Sequence, residues 1–443
     1  MSELIYTFVA SAARHHAGVT CLDGMRLLAG ALHPHGVKIT WSVSPESARL
    51  AARELTDWHN AHGDDVAVST PDLTSGIQHR LSGSIDEKKA TLAGIRKEIR
   101  SALPWSNPTI ASGNHQDPDI ARILDDLGFD GLWGFCWEQI EVDAITDRGC
   151  PWGFYYMDPA DRLRPAQGRG VIAMEWTARD LLKAFHSGNP CLYSTDPNDV
   201  ARGGICSWEN IDYWKALADN YLRNTRYNEQ VILLQHQEAH ETERNEGWYC
   251  YTNEDIRESV IMLEEFVKYI KPHARIMTLA EAARAYRSRN THTASSYMLC
   301  EDIPHPPPNP DYTWNTCPGP WPKTFLHYDR GAQMIFIDGQ VQPCCIRNYA
   351  RAWNTTDYYR EPHIPRPRLL RNTRYHWNRE IEIAVESPAP MPYGLALWGD
   401  YSLYQIGEAP RLLEAKILSR ELLFLRYDLL PGENRLAVTL QGK

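Results

Sequence analysis

Over its first 290 or so residues the chain alternates short apolar strand patterns with helical patterns, with turn signals between them. Leu4 to Ala10 reads as an apolar strand, and Leu22 to Leu32 carries helical apolar spacing. Val37 to Trp41 is strand-like; Ser44 then caps a helix with Pro45 at its first position, running to His62 and stopped by Gly63. Val66 to Val68 is a further strand, and Ser84 to Glu87 is a capping box opening a helix that ends near Leu103. Thr109 to Ala111, Asp130 to Phe135, Val171 to Glu175 and Val231 to Leu234 continue the strand series. Helical patterns over Pro118 to Leu127, Glu209 to Leu222 and Glu254 to Ile270 lie between and after them. Arg275 to Thr278 leads directly into a closing helix, Leu279 to Tyr286.

Strands joined by crossover helices pair in parallel, and about eight of them close more readily into a barrel than into an open sheet. The expectation is therefore an α/β chain with a (β/α)7-8 barrel over residues 1–290. No Gly-x-Gly-x-x-Gly follows the first strand, which disfavours a nucleotide-binding sheet.

The pattern changes near residue 290. Pro304 to Pro310 holds five prolines and can be neither helix nor central strand. Phe325 to Pro343 reads as a hairpin turning at Asp338-Gly339, and residues 291–370 form a Pro-rich connection with this hairpin. Ile381, Ile383 and Val385 recur with period two, and Leu422 to Tyr427 and Arg435 to Leu440 flank the turn Pro431 to Asn434. Residues 371–443 are thus expected to be a C-terminal β-rich, sandwich-like module.

In a parallel barrel the residues just past each strand gather at one end. The segment richest in chemistry is Leu234-Gln235-His236-Gln237-Glu238-Ala239-His240-Glu241. His236, Glu238 and His240 share a side if the strand continues, and His236 and His240 share a face if a helix begins there. Both geometries suit metal binding or a proton shared between carboxylate and imidazole. Past the Thr109 strand stand His115 and Asp117, able to ligate a metal or orient a hydroxyl; Asp117 is also placed as a helix N-cap before Pro118. The third segment, Trp133-Gly134-Phe135-Cys136-Trp137-Glu138, sets a carboxylate among indoles, where its pKa rises or where it sits beneath a sugar ring. The long loop after it brings Asp147, Trp152 and Tyr155 as candidate substrate-binding residues, beside Trp133 and Trp137.

Composition narrows the partners. A formal net charge of -10 argues against nucleic acid and anionic membranes. Fifteen Trp and 22 Tyr are a heavy aromatic load: packing accounts for most of them, and some suit a sugar cleft, so the expected partner is a small molecule or oligosaccharide. The opening residues carry no signal-peptide pattern and the ten Cys are scattered, so a cytoplasmic protein with free thiols is expected. A homo-oligomer is compatible with all of this.

Leu234-Gln235-His236, at the end of a late strand, is similar to the Leu-x-His motif of the NodB-homology polysaccharide deacetylases. Ile276 to Ala283 looks like that family's closing strand and helix. Over residues 4–287 the chain resembles those deacetylases and the wider glycoside hydrolase/deacetylase superfamily. It departs from them at the metal motifs. No paired aspartates occur near Val9 to His16, and Ser69-Thr70-Pro71-Asp72-Leu73 stands where a His-x-x-x-His pair should follow Val66 to Val68. The resemblance therefore implies either one divalent metal (zinc, iron or manganese) moved to His115, His236 and His240, or chemistry without a metal. It also implies that Glu138 is placed like the nucleophile of the superfamily's retaining glycosidases.

The expectation is a carbohydrate-active hydrolase, deacetylase-like or glycosidase-like, with Glu138, Glu238 and Asp117 as its catalytic carboxyls. The alternatives are a non-catalytic carbohydrate-binding barrel, and a metal-dependent oxidoreductase or lyase on the same fold.

Overall fold

A computed structural model describes residues 2–12, 21–69, 81, 83–113, 117–135, 153–160, 165–186, 191–243, 252–309, 320–329, 334–337, 340–343, 367–375 and 379–443. The first part of the chain supplies β1 (Glu3–Ser11), β2 (Ile39–Val43), β3 (Asp65–Ser69), β4 (Ile110–Ser112), β5 (Gly131–Phe135), β6 (Tyr155–Tyr156), β7 (Ile172–Glu175), β8 (Gln230–Glu238) and β9 (Arg275–Met277). Its helices are α1 (Leu22–Leu32), α2 (Pro45–Leu50), α3 (Ala52–His62), α4 (Ile85–Ala102), α5 (Ile120–Asp126), α6 (Leu181–His186), α7 (Pro197–Arg202), α8 (Asp212–Arg223), α9 (Asn253–Ile270) and α10 (Leu279–Arg289).

These strands form one curled sheet in the order β6-β7-β5-β4-β3-β2-β1-β8, parallel throughout except for the short β6. β9 pairs with residues 5–7 of β1, below the stretch of β1 that pairs with β2. β7 and β8 do not pair as strands. Irregular chain fills the seam between them: Ala178 N donates to Leu234 O at 2.6 Å, and Thr195 N donates to Ala178 O at 2.9 Å.

Alternation along each strand divides the core in two. Tyr6, Phe8 and Leu233 face outward and pack under Met25, Trp214, Met262 and Phe266 of the helices. Ile5, Val9, Ile110, Trp133, Ile172, Met174, Ile232 and Leu234 face inward, together with Leu279, Ala283 and Tyr286 of α10. Leu279 N donates to Thr40 Oγ1, which fastens α10 across the N-terminal end of the barrel. The opposite, C-terminal end is left for chemistry.

Two local expectations are corrected. The helix expected from Pro45 to His62 is two helices meeting at Ala51, whose φ of −99° and ψ of 18° lie outside helical values. β8 does not end at Leu234 but runs to Glu238, because Gln235, His236, Gln237 and Glu238 lie in register with Phe8, Val9, Ala10 and Ser11 of β1.

The Pro-rich segment is a strap bound to the barrel. Lys183 Nζ, buried, donates to Asp302 Oδ1 at 2.8 Å and to Ile303 O at 2.5 Å. The His305 ring packs against Tyr193 and Tyr213, and Asn309 N donates to Gly203 O. β10 (Ser296–Cys300), β11 (Thr324–Asp329), β12 (Met334–Ile337) and β13 (Gln340–Pro343) then make a four-stranded antiparallel sheet.

The C-terminal module is built from β14 (Arg368–Tyr375), β15 (Glu380–Ser387), β16 (Met391–Trp398), β17 (Tyr404–Ile406), β18 (Leu412–Ser419), β19 (Leu422–Leu429) and β20 (Gly432–Gly442). They form two sheets, β14-β15-β20-β17 and β16-β19-β18. Ile381, Ile383 and Val385 from the first share one apolar core with Leu395, Leu397, Leu423 and Leu425 from the second, as a sandwich requires. At the β19–β20 turn Gly432 takes a φ of 88°, and Asn434 ties the turn by accepting from Leu430 N and donating to Leu430 O.

Candidate active site at the C-terminal end of the barrel

Four consecutive strands carry inward-facing serines at or next to their C-terminal ends: Ser11 on β1, Ser42 on β2, Ser69 on β3 and Ser112 on β4, all buried. Ser11 lies in register with Ser42, and Ser69 with Ser112. Ser42 Oγ and Ser112 Oγ are 2.5 Å apart, whereas Ser69 Oγ is buried without a hydrogen-bond partner. The resemblance calls for aspartate and histidine ligands around β1 and β3. The described strand ends offer only neutral hydroxyls there, so they do not fit the family's metal set.

His236 lies on the inward face of β8, the strand paired with β1. It is fully buried, with ring centroids 5.2 Å from Trp133 and 4.8 Å from Trp176. Trp133 Nε1 donates to the Trp176 backbone O, which ties the Trp133 indole to the chain that carries the second indole beside the imidazole. Neither His236 nitrogen has a hydrogen bond; Nδ1 stands 3.7 Å from Asp196 Oδ2. Burial lowers the His236 pKa, Asp196 opposes this, and Arg179 adds to it. The ring is therefore held neutral.

Glu238 ends β8 in register with Ser11. Its carboxyl is held well above the usual range by burial first, then by Glu241, Asp196 and Asp199, although a quarter of the side chain is exposed. His240 Nε2 lies 3.1 Å from Glu238 Oε2. On the far side of the seam, Glu175 at the end of β7 is raised to about 8 by burial, with Arg179 Nε 3.7 Å away working in the opposite direction.

The residues singled out from sequence separate into three groups. His236, Glu238 and His240 come together on β8 and the turn after it, with Trp133 beside them. Asp117 is placed differently: its fully buried carboxylate accepts from Leu81 N, Lys88 Nζ and Asp119 N. Tyr155 is buried on β6, with its ring in the helix-side core. Glu138, Trp137, Asp147, Trp152 and His115 lie outside the described residues.

Trp176, Arg179, Glu175 and Asp196 were not foreseen. The segment Val171 to Glu175 reads as a strand, but nothing local shows that the chain beyond it returns to seal the barrel against β8. Among the described residues, Cys21, Cys206 and Cys300 have buried side chains. Among the described residues no helix is long and apolar enough to cross a membrane. A cavity of about 320 Å³ between Tyr227, Gln230, Tyr286 and Tyr297 lies at the opposite end of β8 and holds none of the candidate residues.

No family model matches the sequence, and no curated protein does. Among solved structures, the fold is similar to a putative polysaccharide deacetylase from Mycobacterium smegmatis. The TM-score is 0.43 at 11% identity, over 66% of this chain and 94% of the other. A probable polysaccharide deacetylase from Pseudomonas aeruginosa PAO1 gives 0.42 at 11%, over 66% and 93%. A 4-alpha-glucanotransferase from Thermococcus litoralis gives 0.40 at 7%, over the whole of both chains.

Proposed function

We propose that the chain is a carbohydrate-active hydrolase whose substrate enters the C-terminal end of the barrel. The observation that carries this reading is the arrangement around β8: a neutral His236 flanked by Trp133 and Trp176, with Glu238 two residues on, on the same inward side of the sheet as four serines at the C-terminal ends of β1 to β4. Such hydroxyls donate and accept without charge, which suits the hydroxyls of a sugar. The carboxylates beside Glu238 disfavour an anionic substrate.

In this reading His236 binds substrate oxygen through a ring nitrogen that the protein leaves unbonded. Glu238 directs the attacking water, and Glu138, on the segment after β5, supplies the second carboxyl. The bond is an acyl or a glycosidic one. One observation favours the non-catalytic alternative, a sugar-binding barrel: serines stand at the ends of β1 and β3, where the resembling family has its ligands.

Calorimetric titration with neutral oligosaccharides and with uronate oligosaccharides of equal length tests the substrate class. The neutral series should bind, and Ser69→Val should weaken it about tenfold. Equal or tighter binding of the uronates would overturn the assignment.

A further inference from the structure

The turn following β8 carries a second constellation beside the stacked His236. One ligand atom each of Glu238, His240 and Glu241 lies within 4.8 Å of the other two. Asp196 and Asp199 are close enough to act on Glu238 electrostatically, and Glu238 Oε2 itself lies 3.1 Å from His240 Nε2. Clusters of this sort occur on protein surfaces without ligands, but here the surroundings are built.

Glu241 accepts from Gln237 Nε2 at 3.1 Å and from Asn198 Nδ2. Asn198 is itself oriented by Ser259, whose hydroxyl donates to Asn198 Oδ1 at 2.7 Å. A buried chain from Ser259 through Asn198 to Glu241 aims the carboxylate, as the outer partners of metal-ligating carboxylates do. The turn is also clamped from below: a Cβ on Gly24 would stand 1.8 Å from Ala239 O, so α1 and the turn touch backbone to backbone.

Two fully buried polar side chains here have unfilled hydrogen-bonding capacity. The Gln237 amide is directed at Glu241 through its nitrogen, and its Oε1 has no hydrogen-bond partner. His236, next in the chain, has none at either nitrogen and directs Nδ1 at Asp196. Groups of this kind are normally satisfied by protein, water or an ion.

We propose that Glu238, His240 and Glu241 form a divalent-cation site. Two carboxylates and an imidazole form a mixed oxygen and nitrogen donor set, which suits a first-row ion such as manganese, iron or zinc better than calcium or magnesium. A dication balances the two carboxylates that hold it and offsets the repulsion from Asp196 and Asp199. The site uses His240 but neither His115 nor His236 as a ligand. It shares Glu238 with the hydrolytic reading, but its test is binding alone and stands whether or not the chain hydrolyses sugars.

The test is titration of chelator-treated, full-length protein with manganese and, separately, zinc, followed by calorimetry and by thermal denaturation, without any sugar present. Bound manganese should also show electron-spin-echo modulation from the His240 nitrogen. One equivalent should bind and raise the melting temperature. His240→Ala should abolish the nitrogen modulation, and Glu241→Gln should weaken binding about tenfold or more. Absence of stoichiometric binding by the folded wild-type protein would overturn the proposal, as would unchanged affinity in folded His240→Ala. Should Glu241→Gln fail to fold, the wild-type titration and the nitrogen signal still decide.

Discussion

The rings of His236 and Trp176 stand 4.8 Å apart, centroid to centroid, across the seam where β7 and β8 fail to pair. Trp176 follows β7 directly, and the chain beyond it bonds to β8 through Ala178. The contact that positions the imidazole is thus also part of what closes the barrel. Trp176→Phe should keep most of the packing, with a loss of about 1 kcal/mol, but loosen the imidazole. The expected outcome is a fall of about tenfold in kcat/KM at nearly unchanged melting temperature. Unchanged kcat/KM would reduce Trp176 to packing.

Asp117 and Lys88 are joined in a buried ion pair at 2.9 Å, and the same carboxylate holds the backbone at Leu81 and Asp119. Breaking one side of such a pair leaves the other charge buried. Lys88→Met should cost about 3 kcal/mol in urea denaturation, and the double variant Lys88→Met with Asp117→Asn should recover part of that loss. If Asp117→Asn removes activity at full stability instead, its role is at the reacting centre.

The strap and β10 belong to the barrel's core. Met298, Cys300, Ile303, Leu326 and Tyr328 pack in the same cluster as the helices, and Asn224 and Asn228 bond the backbone of Leu299 and Tyr297. A chain ending at residue 290 is expected to expose that apolar surface and aggregate in size-exclusion chromatography. A monodisperse truncation would show instead that the barrel closes without the strap.

His327 gives a pH signature remote from the candidate site. Stacked on Tyr297 and against Phe424, its pKa is lowered to about 3, by burial above all; Glu414 opposes this while Lys416 and Arg426 add to it. The unfolded chain takes up this proton near the ordinary value of about 6.5, and the folded chain only near 3. The stability it confers is complete above about pH 6.5 and is lost as the pH falls towards 3, by up to about 1.4 kcal/mol per pH unit. His327→Phe should flatten the dependence of urea stability on pH between about 6.5 and 4. An unchanged slope would contradict the assignment.

Much of the architecture was legible because it is local. The capping box at Ser84, the Pro45 helix start and the period-two run at Ile381 each announce an element within a few residues, and each element is present. What the sequence could not show depends on pairing between distant strands. That Ser11, Ser42, Ser69 and Ser112 lie on one side of the sheet is a matter of register between four strands. The seam at Ala178 and Thr195 is made by chain with no strand pattern at all. His236 was legible because an apolar run leads into it. Asp196 was not, since it lies on no strand pattern and its side chain caps α7.

The most direct test of the central claim is turnover in heavy-oxygen water. The wild-type protein is incubated with N-acetylated and with α- and β-linked neutral oligosaccharides, and the products are read by mass spectrometry. Hydrolysis should place the heavy oxygen in released acetate or at a new reducing end, at a rate cut about a hundredfold or more in folded His236→Ala. Tight binding of the same oligosaccharides with no incorporation into any product would contradict hydrolysis and leave a sugar-binding barrel.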